Sequence, residues 1–390
     1  MSLFKEAKTL ISENIRDYGM YIALFVIILT FSFMTDGLFM SSRNISNLLD
    51  SAGYIAVLAV GMTLVIVIRH IDLSVGYVAG FLGAIAAILL TQAGVSMYIT
   101  IPIILILGIV VGLFNGFLVA QIGIPSFVAT LAGMLIFRGA LLLVTEKTGT
   151  IIIQDDNFNA IGNGYIPSLL QVNGLHLLSL IVGLVGILLY IYSEISTRRN
   201  KVKYEFEVVS KGIFILKLIF ISAIIAYLTW ILAGYNGFSW TVMIILLVVI
   251  VYHFLTTKTV LGRHIYAVGS NPEAAHLSGM NVKKITYMVF GSMGMLAALS
   301  GILFTSRLQS ATTTAGTLFE LDAIAAAYVG GVSAAGGVGK VTGAIIGAIV
   351  MASLSNGMNL LGVGISYQYI IRGGVLALAV IFDVMTRKKR

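Results

Sequence analysis

Twelve apolar runs, most of them 17–22 residues long, follow one another along this chain, and nothing else in it constrains the fold as strongly. They cover 19–36, 52–68, 75–91, 98–119, 126–144, 174–192, 213–233, 239–256, 285–306, 320–334, 341–357 and 365–384. A helix needs about 20 mostly apolar residues to cross a bilayer. Inside hydrocarbon the backbone must satisfy its own hydrogen bonds, which a helix does within one segment. The runs therefore predict an all-α fold: a polytopic membrane helix bundle of 10–12 transmembrane helices in one domain, 1–390. The run 320–334 is short, and spanning and re-entrant readings both stand for it. Only 10% of residues are charged against about 25% in a soluble domain, so the expected solvent is lipid. The 42 glycines fit helices that approach closely in it.

The net charge of +8 raises nucleic acid as a partner, but its distribution argues for a membrane and no nucleic acid. With the N-terminus inside, inner segments carry 19 of the 24 basic residues, including Arg69, the cluster Arg198–Lys211, Lys283, Lys284, Lys340 and the tail from Arg387. Outer segments hold only Arg43, Lys147 and Arg307, and Arg138 and Arg372 fall within spans. Lys and Arg mark the cytoplasmic side, so the orientation is N-in and C-in. The first run is expected to be a retained span. Met1–Asp17 is charged and mixed, and FMTDGLF after the apolar stretch offers no small-x-small cleavage site.

Enzyme chemistry finds little footing. The chain has no Cys, which excludes disulfides, thiolate metal sites and Cys nucleophiles. Its five histidines are scattered without i,i+3 or i,i+4 pairing. GGVGKVT (336–342) resembles a phosphate loop only superficially: the Gly five residues before Gly339 is Ala334, and Val341 follows Lys340. A tight turn between packed helices explains it better. VGYVAGFLGA (75–84) resembles VGKVTGAIIGA (338–348) with one insertion, as an internal repeat or as convergent small-xxx-small packing.

A charge in mid-membrane costs about 2.5–3.5 kcal/mol, so each one asks for a reason. Arg138, Glu320, Asp322 and Arg372 are read as lying toward the outer side, with Asn356 near them. They form either a polar pathway or structural pairs such as Arg372 with Glu320 or Asp322. Asp72, in IDLSVG, is expected at an inner turn as a cap for the next helix, with a transport role as the alternative. No span carries an Asp or Glu near its middle, which argues against ion-coupled transport.

The cytoplasmic segment 257–285 is elaborate for a connector. Asn271–Pro272 makes a helix start. Glu273 suits the positive helix N-terminus, Ala274 and Ala275 keep the surface flat, and Gly279 ends the helix. A helix of about two turns is expected across the cytoplasmic mouth. It is either a docking element or an unpartnered surface helix.

G-R-x-I-Y-A-V-G-x-N-x-E-A-A-x-x-S-G, as it stands in Gly262–Gly279, resembles the cytoplasmic coupling segment of bacterial ABC-type monosaccharide import permeases, the ribose/xylose/galactose group. AVLAVGM (56–62), IDLSVG (71–76), PSFVATLAGMLIFRG (125–139), ELDAIAAAYVGGVSAAGGVG (320–339) and MASLSNGM (351–358) match in the family's order along nearly the whole chain. The match is nearest to the longer xylose-type and multiple-sugar branch. Against the shorter ribose type, 174–233 adds two spans around the basic loop 193–212.

The resemblance implies a type II ABC importer-like permease in a bacterial cytoplasmic membrane. Two copies would form the pathway, a separate ABC ATPase would bind ATP and Mg, and an extracytoplasmic binding protein would deliver a monosaccharide. This chain would bind no cofactor and catalyse no reaction. Asn271, Pro272, Glu273, Ala274, Ala275 and Gly279 are the residues it implies for coupling to the ATPase. The alternative is an ion-coupled secondary sugar carrier.

Overall fold

A computed structural model describes residues 15–168, 171–172, 174–206 and 208–387. Lys5, Lys8 and the basic residues after Arg387 lie outside them. The described chain is helical almost throughout: α1 (Ile15–Met34), α2 (Ser42–Val67), α3 (Val75–Thr91), α4 (Met97–Phe117), α5 (Ser126–Thr145), a short α6 (Asp156–Asn163), α7 (Leu177–Lys203), α8 (Lys211–Ala233), α9 (Trp240–Lys258), α10 (Val260–Ser270), α11 (Pro272–Leu277), α12 (Val282–Leu308), α13 (Phe319–Val329), α14 (Val341–Leu360) and α15 (Ile365–Arg387). Among the described residues nine helices are long and apolar enough to cross a membrane, and 19–34 and α3 are shorter apolar helices.

Side-chain caps set many helix starts. Ser41, Ser239 and Asn281 accept the backbone N–H of Asn44, Val242 and Lys284 and so begin α2, α9 and α12. The expected ends hold for α3. They fail at α2, which begins ten residues early because its first turns are polar (Ser42, Arg43, Asn44, Ser46, Asn47, Asp50) and escape a hydropathy reading. They also fail at α7, which starts after a β-hairpin (β2, Gln171–Val172; β3, Leu175–His176) and runs on through Arg198–Lys203. The expected basic loop of 193–212 shrinks to 204–210.

Segments expected outside meet at one end of the bundle, and segments expected inside meet at the other. Ile151–Ile152 pairs antiparallel with Ser310–Ala311 at the outer end. Gly337 N–H donates to the Val67 carbonyl at the inner end (2.8 Å). The hydrophobic stretch of α2 is 89% buried and that of α12 72%, against 11% for α7 and for α15, so α2 and α12 form the centre and α7 and α15 the periphery. Glycine lets α12 sit directly on α4: a Cβ on Gly294 would lie 2.0 Å from the Gly108 carbonyl oxygen, and one on Gly112 2.1 Å from that of Phe290.

The short run at 320–334 is one half of a broken crossing. Its helix, α13, has 11 residues, or about 17 Å of rise, against a hydrocarbon core of about 30 Å. Residues 312–318 enter non-helically beforehand, and 330–340 turn at the inner end. Non-helical backbone at membrane depth persists only where protein covers it. Here two small-xxx-small faces do so. A Cβ on Gly76 or Gly80 of α3 would meet the carbonyl of Gly316 or Ala315 at 2.4 Å. On Gly343 or Gly347 of α14 it would meet that of Gly330 or Ala326 at about 2 Å. The two similar stretches, 75–84 and 338–348, thus share a packing role: both helices clasp the same broken element.

Gly112→Ala should destabilise the bundle by about 1–3 kcal/mol, because backbone must move to admit the methyl group. Gly186→Ala, in α7 with nothing within 4 Å of the added Cβ, should be neutral or stabilising by up to about 1 kcal/mol. Thermal unfolding of the purified protein in detergent reads both.

Candidate functional site

Two regions collect many of the polar residues that the apolar bundle retains. The first is a cavity of about 220 Å³ between α2, α13, α14 and α15, lined by Ser51, Tyr54, Asp322, Asn356, Asn359 and Arg372 among others. This is below the roughly 300 Å³ at which drug-sized pockets begin, so it suits a small polar molecule. Arg372 Nη1 lies 3.4 Å from Asp322 Oδ2, both side chains about three-quarters buried. Asn356 and Asn44 exchange amide hydrogen bonds at 2.9 and 3.1 Å, which ties α14 to α2 at the rim. Asn359 Oδ1 accepts from Gln368 Nε2 (2.8 Å), tying α14 to α15.

The structure thus joins three of the expected polar residues, Asp322, Asn356 and Arg372, and leaves three out. Arg138 is exposed on α5, its guanidinium 5.7 Å from the Tyr77 ring. Glu320 is buried against Gly76, and its Oε2 has no hydrogen-bond partner. Asp72 is not a side-chain cap of α3. It sits two residues before the cap position, where Oδ1 accepts from Ser74 N–H (2.9 Å) and Ser74 Oγ (2.6 Å), and Ser74 in turn accepts from Asn115 Nδ2 (2.9 Å). Burial pushes the Asp72 carboxyl up to about 6, against the pull of the Ser74 bonds.

A buried acid also stands ahead of the expected span, in the early turns of α2 and not near its middle. Asp50 is in α2 and 3% exposed; it accepts from Ser239 Oγ and faces Arg307 Nη1 at 3.9 Å. Arg307, expected as an outer-segment charge, also donates to Asn163 Oδ1 (3.1 Å) and Asn47 Oδ1 (3.3 Å). This cluster pins the α6 segment to α2 and α12. Sequence reasoning missed it because a hydropathy reading starts the span after Asp50.

The second region is the inner junction. The 257–285 segment holds two helices where one was expected, and the polar one has six residues, about two turns. Asn271 Oδ1 accepts from Glu273 N–H (3.1 Å) and Ala274 N–H (3.0 Å), Pro272 opens α11, and Gly279 follows it at φ 82°. Glu273 and Ala274 are exposed; Ala275 is buried and so turned away from any partner. Leu277, absent from the expected set, is 82% exposed at the tip. An apolar residue after the flat Ala-Ala pair was the available signal.

The junction hangs on its contacts with α2 and the 330–340 turn. Arg69 Nε donates to the Gly269 carbonyl (2.6 Å), and its Nη2 to that of Ser270. Tyr266 Oη donates to the Gly339 carbonyl (2.6 Å), and burial pushes that phenol up from its usual value. Asp383 of α15 accepts from Ala334 N–H (3.1 Å) and Ser333 Oγ (3.3 Å).

The family model described as "Branched-chain amino acid transport system / permease component" matches residues 44–380. The chain belongs to this permease family. The xylose transport system permease protein of Haemophilus influenzae is 40% identical over 378 residues, 97% of this chain and 98% of that one. Its counterpart from Escherichia coli K12 is 38% identical over 97% and 94%. The ribose import permease protein of Haemophilus influenzae is 34% identical over 93% and 91%. No solved structure matches. This permease is a multi-pass membrane protein and a transport component, not an enzyme.

Arg372→Met should leave Asp322 desolvated without its cation and destabilise the permease by about 1–3 kcal/mol. Adding Asp322→Leu should restore most of that loss. A double-mutant cycle on thermal unfolding measures the recovery.

Proposed function

We propose that this chain is the membrane-spanning permease subunit of an ATP-driven monosaccharide importer, with xylose or a mixed set of aldoses as cargo. Similarity to xylose permeases over 97% of the chain carries this reading, and it outweighs the amino acid in the family description because it is the more specific match. The small size and mixed amide, hydroxyl, aromatic and ion-pair lining of the outer cavity support a single sugar ring, held weakly enough to release.

In this reading a second copy completes the pathway in the cytoplasmic membrane, and an extracytoplasmic sugar-binding protein delivers the cargo. A separate ABC ATPase carries ATP and Mg. α11 is the element that docks on it: a capped helix with a flat Glu273–Ala274 face and an exposed Leu277 suits a groove on a partner. Asn271, Pro272 and Gly279 shape this helix, and Ala275 anchors it to the permease.

A second reading, an ion-coupled carrier, draws on one observation, the buried Glu320 with an unpaired oxygen. Labelled-xylose uptake into proteoliposomes separates the two. The importer requires this chain, its ATPase with internal ATP, and external binding protein together. Uptake by this chain alone under an ion gradient overturns the importer reading. Leu277→Asp should lower both ATPase co-purification and uptake about tenfold, the loss of one buried apolar contact and the burial of a charge.

A further inference from the structure

The inner end of α2 does something unusual for a helix terminus. The Arg69 N–H donates to the Ile66 carbonyl (2.8 Å) and the His70 N–H to that of Val65 (3.0 Å), the paired closure that needs a left-handed residue. Glycine normally takes that place. Here Arg69 holds φ 65° in spite of its Cβ. The strain positions a long cation whose guanidinium forks onto the last two carbonyls of α10, Gly269 and Ser270, where helix geometry leaves carbonyls unpaired and partly negative.

Three chain segments converge there without spare room. A Cβ on Gly269 would lie 1.9 Å from the Val67 carbonyl oxygen and 2.8 Å from Gly337 N. One on Gly336 would lie 2.4 Å from Arg69 Cγ, and one on Gly337 2.4 Å from Ser270 Oγ, and both glycines are themselves left-handed. The elements that leave this junction, α2, α13 and α14, are those that line the outer cavity, and α15, bound to the 333–334 turn through Asp383, supplies its fourth wall.

We propose that Arg69 is a positioning residue for transport: its clamp on 269–270 binds α10–α11, the end of α2 and the 330–340 turn into one body. Displacement of α11 by the ATPase then reaches the outer cavity as movement of whole helices. This rests on the reading of α11 as the ATPase-docking element.

Arg69→Gly removes the guanidinium with its stem, and glycine suits the left-handed backbone, so relief of backbone strain offsets the lost contacts. The full complex in proteoliposomes, with ATPase and binding protein, gives the readouts. With Arg69→Gly, thermal unfolding and ATPase co-purification should match wild type. Sugar imported per ATP hydrolysed should fall about tenfold, within the usual range of coupling between sites. Arg69→Lys, which keeps a charge but not the fork, should recover part of it.

Wild-type import per ATP from Arg69→Gly overturns the proposal. So does loss of ATPase co-purification, which would make Arg69 a folding element of α10–α11. Leu277→Asp in parallel tests the reading beneath. If it leaves ATPase binding and import intact, the docking role of α11 fails. If it breaks both while Arg69→Gly imports normally, only the clamp fails.

Discussion

The close approach of Gly269 to the Val67 carbonyl fixes the inner half of this molecule. Position 269 leaves no space for a side chain against that carbonyl, so α10 must enter at one depth and one angle relative to α2. Gly337 closes the third side with its hydrogen bond to the same carbonyl. Because α2 is buried along most of its length, a shift at its inner end cannot be absorbed by local bending into lipid. It must pass to the helices packed against it.

The broken crossing gives that shift somewhere to go. A continuous helix would resist bending at this depth through its own ladder of hydrogen bonds. Residues 312–318 and α13 instead rest between the glycine faces of α3 and α14, held by close packing and by the Asp322–Arg372 pair. Polar groups at this depth are costly to leave unpaired. Their pairing across α13 and α15 therefore ties the shape of the cavity to the relative position of those helices.

Much of this was legible in the sequence. Apolar run length alone located all nine helices that are long enough to cross a membrane among the described residues, and Asn-Pro followed by Gly marked α11. The pairing of Arg372 with Asp322 stood among the readings of the intramembrane charges. Other features were hidden for physical reasons. The polar first turns of α2 look like a loop to any hydropathy measure, which concealed Asp50 and its partner Arg307. The burial of Ala275 and the exposure of Leu277 depend on how α11 is rotated, and six residues carry too little periodicity to reveal that. Arg69 gave no signal as a clamp, since its partners lie 200 residues away and are backbone carbonyls. The glycine turn at 336–339 read correctly as a turn, but not as one wall of the junction.

The absence of cysteine makes a direct distance measurement possible without background labelling. Two pairs of spin labels would be introduced by cysteine substitution into the permease in complex with its ATPase. One pair, Ser278 and Val338, sits on α11's flank and the inner turn; the other, Arg43 and Gly364, flanks the outer ends of α2 and α15. Comparing the nucleotide-free and ATP-trapped complexes, a rigid junction keeps the inner distance fixed while the outer distance shifts. An inner distance that changes while the outer one stays constant would contradict the view that the junction moves as one body.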